Sequence, residues 1–253
     1  MIPQVRHSFR VVVRLLWLAA ELAFGLMTFA ALLAIHCGIP DRGERARWLQ
    51  RVCRRTLRIF HLQLRVAGAV PSQGLLVCNH LSYLDILVLA ALTPSVFIAK
   101  CEVKRWPVFG WFASMAGTLF LHRENRLDVA RVTREMGRVL DEGALVVLFP
   151  EGTSSDGSKV LPFKSSLLEP AIGQRYAVSA AFVDYGLSDG DVAEEVCYWK
   201  DMTLLPHLLN LFSKRGLTVR LRFSELQLAR GDRKQLARQL YSEVVRLKTA
   251  LSI

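Results

Sequence analysis

The chain has 253 residues, of which 52% are hydrophobic, and carries 33 Lys+Arg against 22 Asp+Glu for a formal net charge of +11. A mean hydropathy of +0.27 excludes a disordered chain and is high for a freely soluble enzyme. The length suits one large domain or a domain with a small appendage, and the charge suits a nucleic acid, an anionic membrane surface or an anionic substrate.

The first predicted element is an apolar run, Leu15 to Ile35, with Glu21 its one charge. At about 1.5 Å per residue it reaches roughly 30 Å, the thickness of a bilayer core. A carboxylate in mid-membrane costs about 2.5–3.5 kcal/mol, but Glu21 lies toward one end, where it can be neutral or reach the interface. Arg6, Arg10 and Arg14 would be the basic region of a cleaved signal peptide. The run is long for that, and no clean small-x-small site follows it, so an uncleaved anchor is expected.

Asp41 to Arg65 comes next, with Trp48, Val52 and Ile59 at helical spacing and Arg47, Arg51, Arg54, Arg55 and Arg58 on another face. A basic amphipathic helix of this kind is expected in a lipid interface; the plainer alternative is a surface helix with its stripe in the core. Its place beside a bilayer-length run argues for the membrane as partner and against nucleic acid. Both flanks of the run are basic, so charge gives no clean orientation. A hairpin or monotopic insertion is favoured over a span, at the cell inner membrane with the rest of the chain facing the cytoplasm. The organisation expected is 1–62 as membrane anchor and amphipathic helix, and 63–253 as catalytic domain.

From Gln63 onward, short apolar runs alternate with longer helical patterns. Strands are predicted at Gly74–Cys78, Val96–Ala99, Gly117–Leu121, Ala144–Phe149 and Ala177–Val183, with a late one at Arg220–Leu226. Helices are predicted at Tyr83–Leu92, Trp111–Met115, Arg126–Asp141 and Asp232–Leu251. This alternation implies an α/β fold with a mixed, partly parallel sheet flanked by helices. The five cysteines (Cys37, Cys53, Cys78, Cys101, Cys197) include no C-x-x-C pair, which argues for reduced thiols over a disulfide framework or zinc site.

Three segments carry candidate chemistry. In Asn79-His80-Leu81-Ser82-Tyr83-Leu84-Asp85, a strand delivers His80 to its C-terminal end, where α/β sheets place ligands. Asp85, a helical turn further on, lies back beside the imidazole to fix its tautomer; the competing reading is a capping box with Ser82. Phe149-Pro150-Glu151-Gly152-Thr153 follows the strongest strand and reads as a polar positioning loop or a simple turn. Gly117 to Arg123 ends a strand on an arginine able to hold a phosphate or carboxylate, or simply solvated. His122 is a further base candidate, disfavoured in its charged form by Arg123 and Arg126.

In order and spacing, these three segments resemble the first three sequence blocks of the glycerolipid acyltransferases, which include bacterial 1-acyl-glycerol-3-phosphate acyltransferases. Lys100-x-Glu102 with Pro107 and Gly110 resembles the family's linking segment, and the N-terminal elements resemble its membrane motif. The resemblance implies His80 as general base, Asp85 as its partner and Arg123 as a phosphate ligand. Glu151, Gly152 and Thr153 would shape the acceptor site, with Lys100 also substrate-binding. It further implies an acyl-CoA or acyl-carrier-protein donor, a lysolipid acceptor, and no metal or other cofactor. Ser154 stands where many lysophosphatidate-acylating members have arginine; Lys159 or Lys164 are the candidates to replace it. The fourth block lacks its usual proline. The acceptor expected is 1-acyl-sn-glycerol-3-phosphate, with lyso-ornithine lipid or another lysolipid as the alternative. Backbone N–H groups near His80 or Gly152 are the expected oxyanion donors. No Gly-x-Ser-x-Gly elbow is present, and Cys78 is a weak candidate for an acyl-cysteine. A membrane-bound thioesterase or lipase and a non-catalytic membrane-binding protein are the rival functions.

Overall fold

The computed structural model describes residues 8–250; Arg6 of the basic flank and Leu251 of the terminal helix lie outside the described residues. In chain order the elements are α1 (Ser8–Ile35), α2 (Arg42–Ile59), β1 (Leu62–Ala67), β2 (Gly74–Cys78), α3 (Leu84–Leu92), β3 (Ser95–Lys100), α4 (Phe109–Met115), β4 (Leu119–Leu121), α5 (Arg126–Asp141) and β5 (Leu145–Leu148). They continue with α6 (Glu169–Gly173), β6 (Ala177–Leu187), α7 (Val192–Glu195), α8 (Leu204–Ser213), β7 (Leu217–Phe223), β8 (Gln227–Leu228) and α9 (Arg233–Thr249). The predicted strands and long helices all appear, some with shifted ends. The exposed edge strand β1 and helix α8 were not anticipated: Leu62 to Arg65 alternate apolar and polar residues as a strand does, but the amphipathic helix expected from the sequence runs to Arg65 and includes them.

One mixed sheet runs β1-β7-β6-β2-β5-β3-β4, with β8 paired to the start of β6. From β6 to β4 the strands are parallel, and β7 is antiparallel to β6. Because successive side chains on a strand point to opposite faces, β2 divides its apolar residues between two cores. Leu76 and Cys78 join α1, α2, α3, α4 and α8 on one face. Leu75 and Val77 join α5, α6 and α9 on the other. Parallel strands need both faces covered, and all five residues of β2 are buried.

The N-terminal helices differ from expectation in one respect. The stripe of α2 faces protein rather than lipid: Trp48, Val52 and Ile59 are buried in the core shared with α1 and α3. The surface-helix reading is therefore the correct one for this stripe. The arginines are used locally. Arg54 Nε donates to Ala91 O at the end of α3 at 2.7 Å, and Arg45 donates to Ser114 O and Met115 O at the end of α4, both 2.7 Å. Cations at helix C-termini satisfy orphan carbonyls and complement the helix dipole. Arg47, Arg51 and Arg58 remain exposed.

Helix α1 buries Val11, Arg14, Leu18, Glu21, Gly25 and Phe29, one stripe running along most of its length. Both charges of that stripe are matched inside the protein. Arg14 donates to Phe212 O (3.0 Å) and Lys214 O (2.6 Å), and Glu21 pairs with Arg55 at 2.5 Å and accepts from Trp17 Nε1 at 3.0 Å. The face turned outward is apolar, with Phe9, Val12, Leu16 and Met27 exposed. Gly25 lets α4 approach, since a Cβ there would lie 2.8 Å from the Phe112 ring.

Trp48 joins these parts. It is fully buried, packs on Phe29 and stacks on Phe112, and donates from Nε1 to Gly25 O at 3.1 Å. Trp48→Ala is expected to cost about 3–5 kcal/mol and to loosen α1 from the domain. Denaturation in detergent and limited proteolysis between α1 and α2 measure both; unchanged stability together with a protected linker would refute this account of the joint.

Candidate active site

Four strand ends converge on one edge of the sheet in the order β2, β5, β3, β4, and each delivers a predicted residue: His80, the Phe149–Thr153 turn, Lys100 and Arg123. Neighbouring strands lie about 4.8 Å apart, so the roots of His80 and Arg123 are separated by roughly 14 Å. The arginine side chain reaches back across that gap, and its guanidinium donates to Gly152 O.

His80 Nδ1–H donates to Asp85 Oδ2 at 2.8 Å. The same oxygen accepts from the peptide N–H groups of Leu81 (2.7 Å) and Ser82 (3.0 Å), and Oδ1 accepts from Tyr185 Oη at 2.6 Å. The capping reading is thus half realised. Asp85 reaches back to the Ser82 N–H as a capping box requires, but the Ser82 hydroxyl caps nothing and the helix begins one residue later, after Tyr83. One carboxylate both closes the turn and holds the imidazole. The His80 ring stacks on Phe149 at 4.1 Å between centroids. With Nδ1 engaged, Nε2 is the ring atom left to take a proton.

Other contacts fix the backbone around the histidine. Asn79 bonds both backbone polar groups of Val183, with Oδ1 accepting at 2.8 Å and Nδ2 donating at 3.0 Å. Ser155 N donates to His80 O at 3.0 Å, and Tyr198 N donates to Leu81 O at 2.8 Å. Of the N–H groups near His80 and Gly152, those of Leu81 and Ser82 serve Asp85 and that of Gly152 bonds Phe149 O.

Glu151 is 4% exposed and faces inward, not into the cleft that holds His80. Neither of its oxygens closes a hydrogen bond. Burial pushes its carboxyl up to about 8, with the charge of Asp85 adding to the rise, against the pull of the nearby peptide N–H groups of Leu161 and His80 and the charge of Lys248. Gly152 has φ +80°, and an added Cβ would crowd the Arg123 guanidinium at 2.8 Å and Lys164 Nζ at 3.1 Å. Thr153 lines the cleft.

The cleft, about 240 Å³, is also lined by Lys100, Arg123, Trp106, Tyr198 and Lys200. An adjoining opening holds Glu102, His122, Glu124 and Lys164 beside Lys100 and Arg123. His122 Nδ1 lies 2.8 Å from Cys101 Sγ and is not in the His80 cleft. Lys159 lines neither space. Cys78 is fully buried, and desolvation holds its thiol well above the usual range, unsuited to carrying an acyl group. Among the described residues no three His, Cys, Asp or Glu side chains are grouped as metal ligands would be. Sequence reasoning missed Tyr185 and the Tyr198–Lys200 loop. Tyr185 is one aromatic in an apolar strand, and the loop has no motif.

Comparisons with known proteins point to one family. The family model described as Acyltransferase matches residues 63–180. A lyso-ornithine lipid O-acyltransferase of Brucella abortus is 37% identical over 74% of this chain and 76% of its own. A protein of the same name from Pseudomonas aeruginosa is 34% identical over 78% and 75%. A 1-acyl-sn-glycerol-3-phosphate acyltransferase of Neisseria meningitidis is 35% identical over 75% and 74%. The crystal structure of the 1-acyl-sn-glycerophosphate acyltransferase of Thermotoga maritima shares the fold, with a TM-score of 0.61 at 21% identity over 95% of this chain and 98% of that one. A histidine held by a buried carboxylate at the strand ends, in a chain so similar to these relatives, makes this protein a member of the acyltransferase family.

Proposed function

We propose that this chain transfers an acyl group from an acyl-CoA or acyl-carrier-protein thioester to the free hydroxyl of a lysolipid whose head group carries a carboxylate or phosphate. The observation that carries this reading is the His80–Asp85 pair at the wall of a cleft lined by cations. His80 Nε2 removes the proton from the acceptor hydroxyl as its oxygen attacks the thioester carbonyl. The tetrahedral intermediate then collapses, the C–S bond breaks, and the imidazolium returns the proton to the departing thiolate. Asp85 keeps Nδ1 protonated and stabilises the imidazolium.

Lyso-ornithine lipid is the first reading of the acceptor. It is supported by the names of the Brucella and Pseudomonas relatives and by Ser154, whose hydroxyl is bonded to Tyr198 O instead of offering a cation. Lysophosphatidate is the second, supported by the Neisseria relative and by Lys100, Arg123 and Lys200 around a cleft that, among the described residues, no carboxylate lines. Lipid analysis of a deletion strain complemented with this chain separates them by which lysolipid it removes.

The membrane is the proposed location: the inner membrane, with the catalytic domain on the cytoplasmic side. Helix α1 is long and apolar enough to cross a bilayer. Its packing along the domain from Val11 to Phe29 instead supports a helix lying in the interface with its apolar face in lipid.

His80→Ala is expected to lower kcat by about 10²–10⁴-fold with the fold intact. Near-normal transfer by this variant, at matched expression in membranes, would sink the mechanism. Asp85→Asn is expected to lower both kcat and melting temperature, because an amide cannot accept from all four donors.

Glu151 generates a prediction of its own. Its carboxyl sits at about 8 when folded against an ordinary value of 4.5, so the folded state binds the extra proton between these values. Stability is therefore present in full below the lower value and declines as pH rises through the window. Glu151→Gln, which mimics the neutral form, is expected to flatten that decline in melting temperature measured in detergent. Parallel curves for the two proteins would assign the decline to other groups.

A further inference from the structure

The loop from Val196 to Met202 has no part in the sequence motifs, yet it forms one wall of the His80 cleft through Tyr198, Trp199 and Lys200. Its position is fixed from two sides. Tyr198 N donates to Leu81 O, next to the catalytic histidine, at 2.8 Å, and Tyr198 O accepts from Ser154 on the Gly152 turn. Tyr198 also meets Tyr83, Trp106 and His207 edge to face. The loop thus moves with the catalytic machinery and not as a free surface segment.

Lys200 stands at its end with φ +52°, a left-handed conformation uncommon for a long side chain. Its Nζ lies 3.7 Å from the centroid of the Trp199 indole, which attracts the cation through the ring quadrupole. A cation stacked on an indole keeps donor capacity for a ligand; Asp156 lies close enough for its charge to act on Lys200, with no ion pair between them among the described residues. Among the described residues the other Lys and Arg side chains lining the cleft are Lys100 and Arg123, no Asp or Glu lines it, and Glu102 acts on both from the adjoining opening. Arg123 already spends one donor on Gly152 O.

We propose that Lys200 is a specificity-determining residue that binds the anionic group of the acceptor lysolipid from the cleft wall formed by the Tyr198 loop. This rests on the acyl-transfer reading above and adds to it a residue no motif marks. The chemistry recognised is a carboxylate or phosphate on the acceptor; the phosphates of an acyl-CoA donor are the other possible source of the same charge, and the experiment separates the two.

Initial rates are measured with the full-length protein in detergent, varying acceptor and thioester in turn. The acceptors are lyso-ornithine lipid, lysophosphatidate and uncharged monoacylglycerol. Lys200→Gln is expected to raise KM for the acceptor that carries the recognised carboxylate or phosphate by about tenfold, with kcat within about twofold and the thioester KM unchanged. Lys200→Arg is expected to restore acceptor KM, and any rate on monoacylglycerol stays the same. An acceptor KM that does not move, or a thioester KM that rises in its place, overturns the assignment while leaving acyl transfer standing. A wild-type protein inactive on every lysolipid overturns the proposed function and this inference with it.

Discussion

The candidate catalytic end of this protein depends on how one buried carboxylate is satisfied. Asp85 is fully buried, and removing a carboxylate from water costs several kcal/mol unless hydrogen bonds replace the lost hydration. It receives four donors: a ring N–H, two peptide N–H groups and a phenol. Three come from the turn between β2 and α3, and the fourth from β6. The turn cannot relax without stranding the charge, and the charge cannot be satisfied unless β6 is in register beside β2. The histidine is held in place by the same bonds that keep the carboxylate solvated by protein.

A related constraint shapes the N-terminal helices. A helix that is apolar outside and carries Arg14 and Glu21 on its inner face is stable only where both charges find partners, and the domain supplies them through the end of α8 and Arg55. The pairing turns a sequence-level liability, a carboxylate inside a bilayer-length run, into a docking contact. The apolar surface that α1 leaves uncovered is then one side of the helix rather than the whole of it. The arginines of α2 divide between tying helix ends together and remaining in solvent.

Much of this was legible in the sequence because the responsible forces are periodic or local. The strand at Gly74–Cys78 and the helix at Arg126–Asp141 were read with the boundaries found, since a buried strand shows as a continuous apolar run and an amphipathic helix as a 3.6-residue stripe. His80 and Asp85 were legible because both sit within one turn of chain. Residues that act from far away were not. Tyr185 is 100 positions from Asp85, and Asn79 joins β2 to β6 across 104 positions. The stripe of α2 was legible as a stripe, but its partner was not: lipid and the flank of another helix impose the same pattern. Glu151 was read as facing substrate, because the sequence cannot show that the turn points its side chain inward.

The order of the strands also has a bearing on synthesis at the ribosome. β2, which carries His80, pairs with β5 and β6, both made much later, and its loop is bonded by Ser155 and Tyr198. Helix α1 is translated long before any of these. The apolar face of α1 is therefore made before the elements that assemble around His80, and that assembly waits until the chain has been extended past the Tyr198 loop.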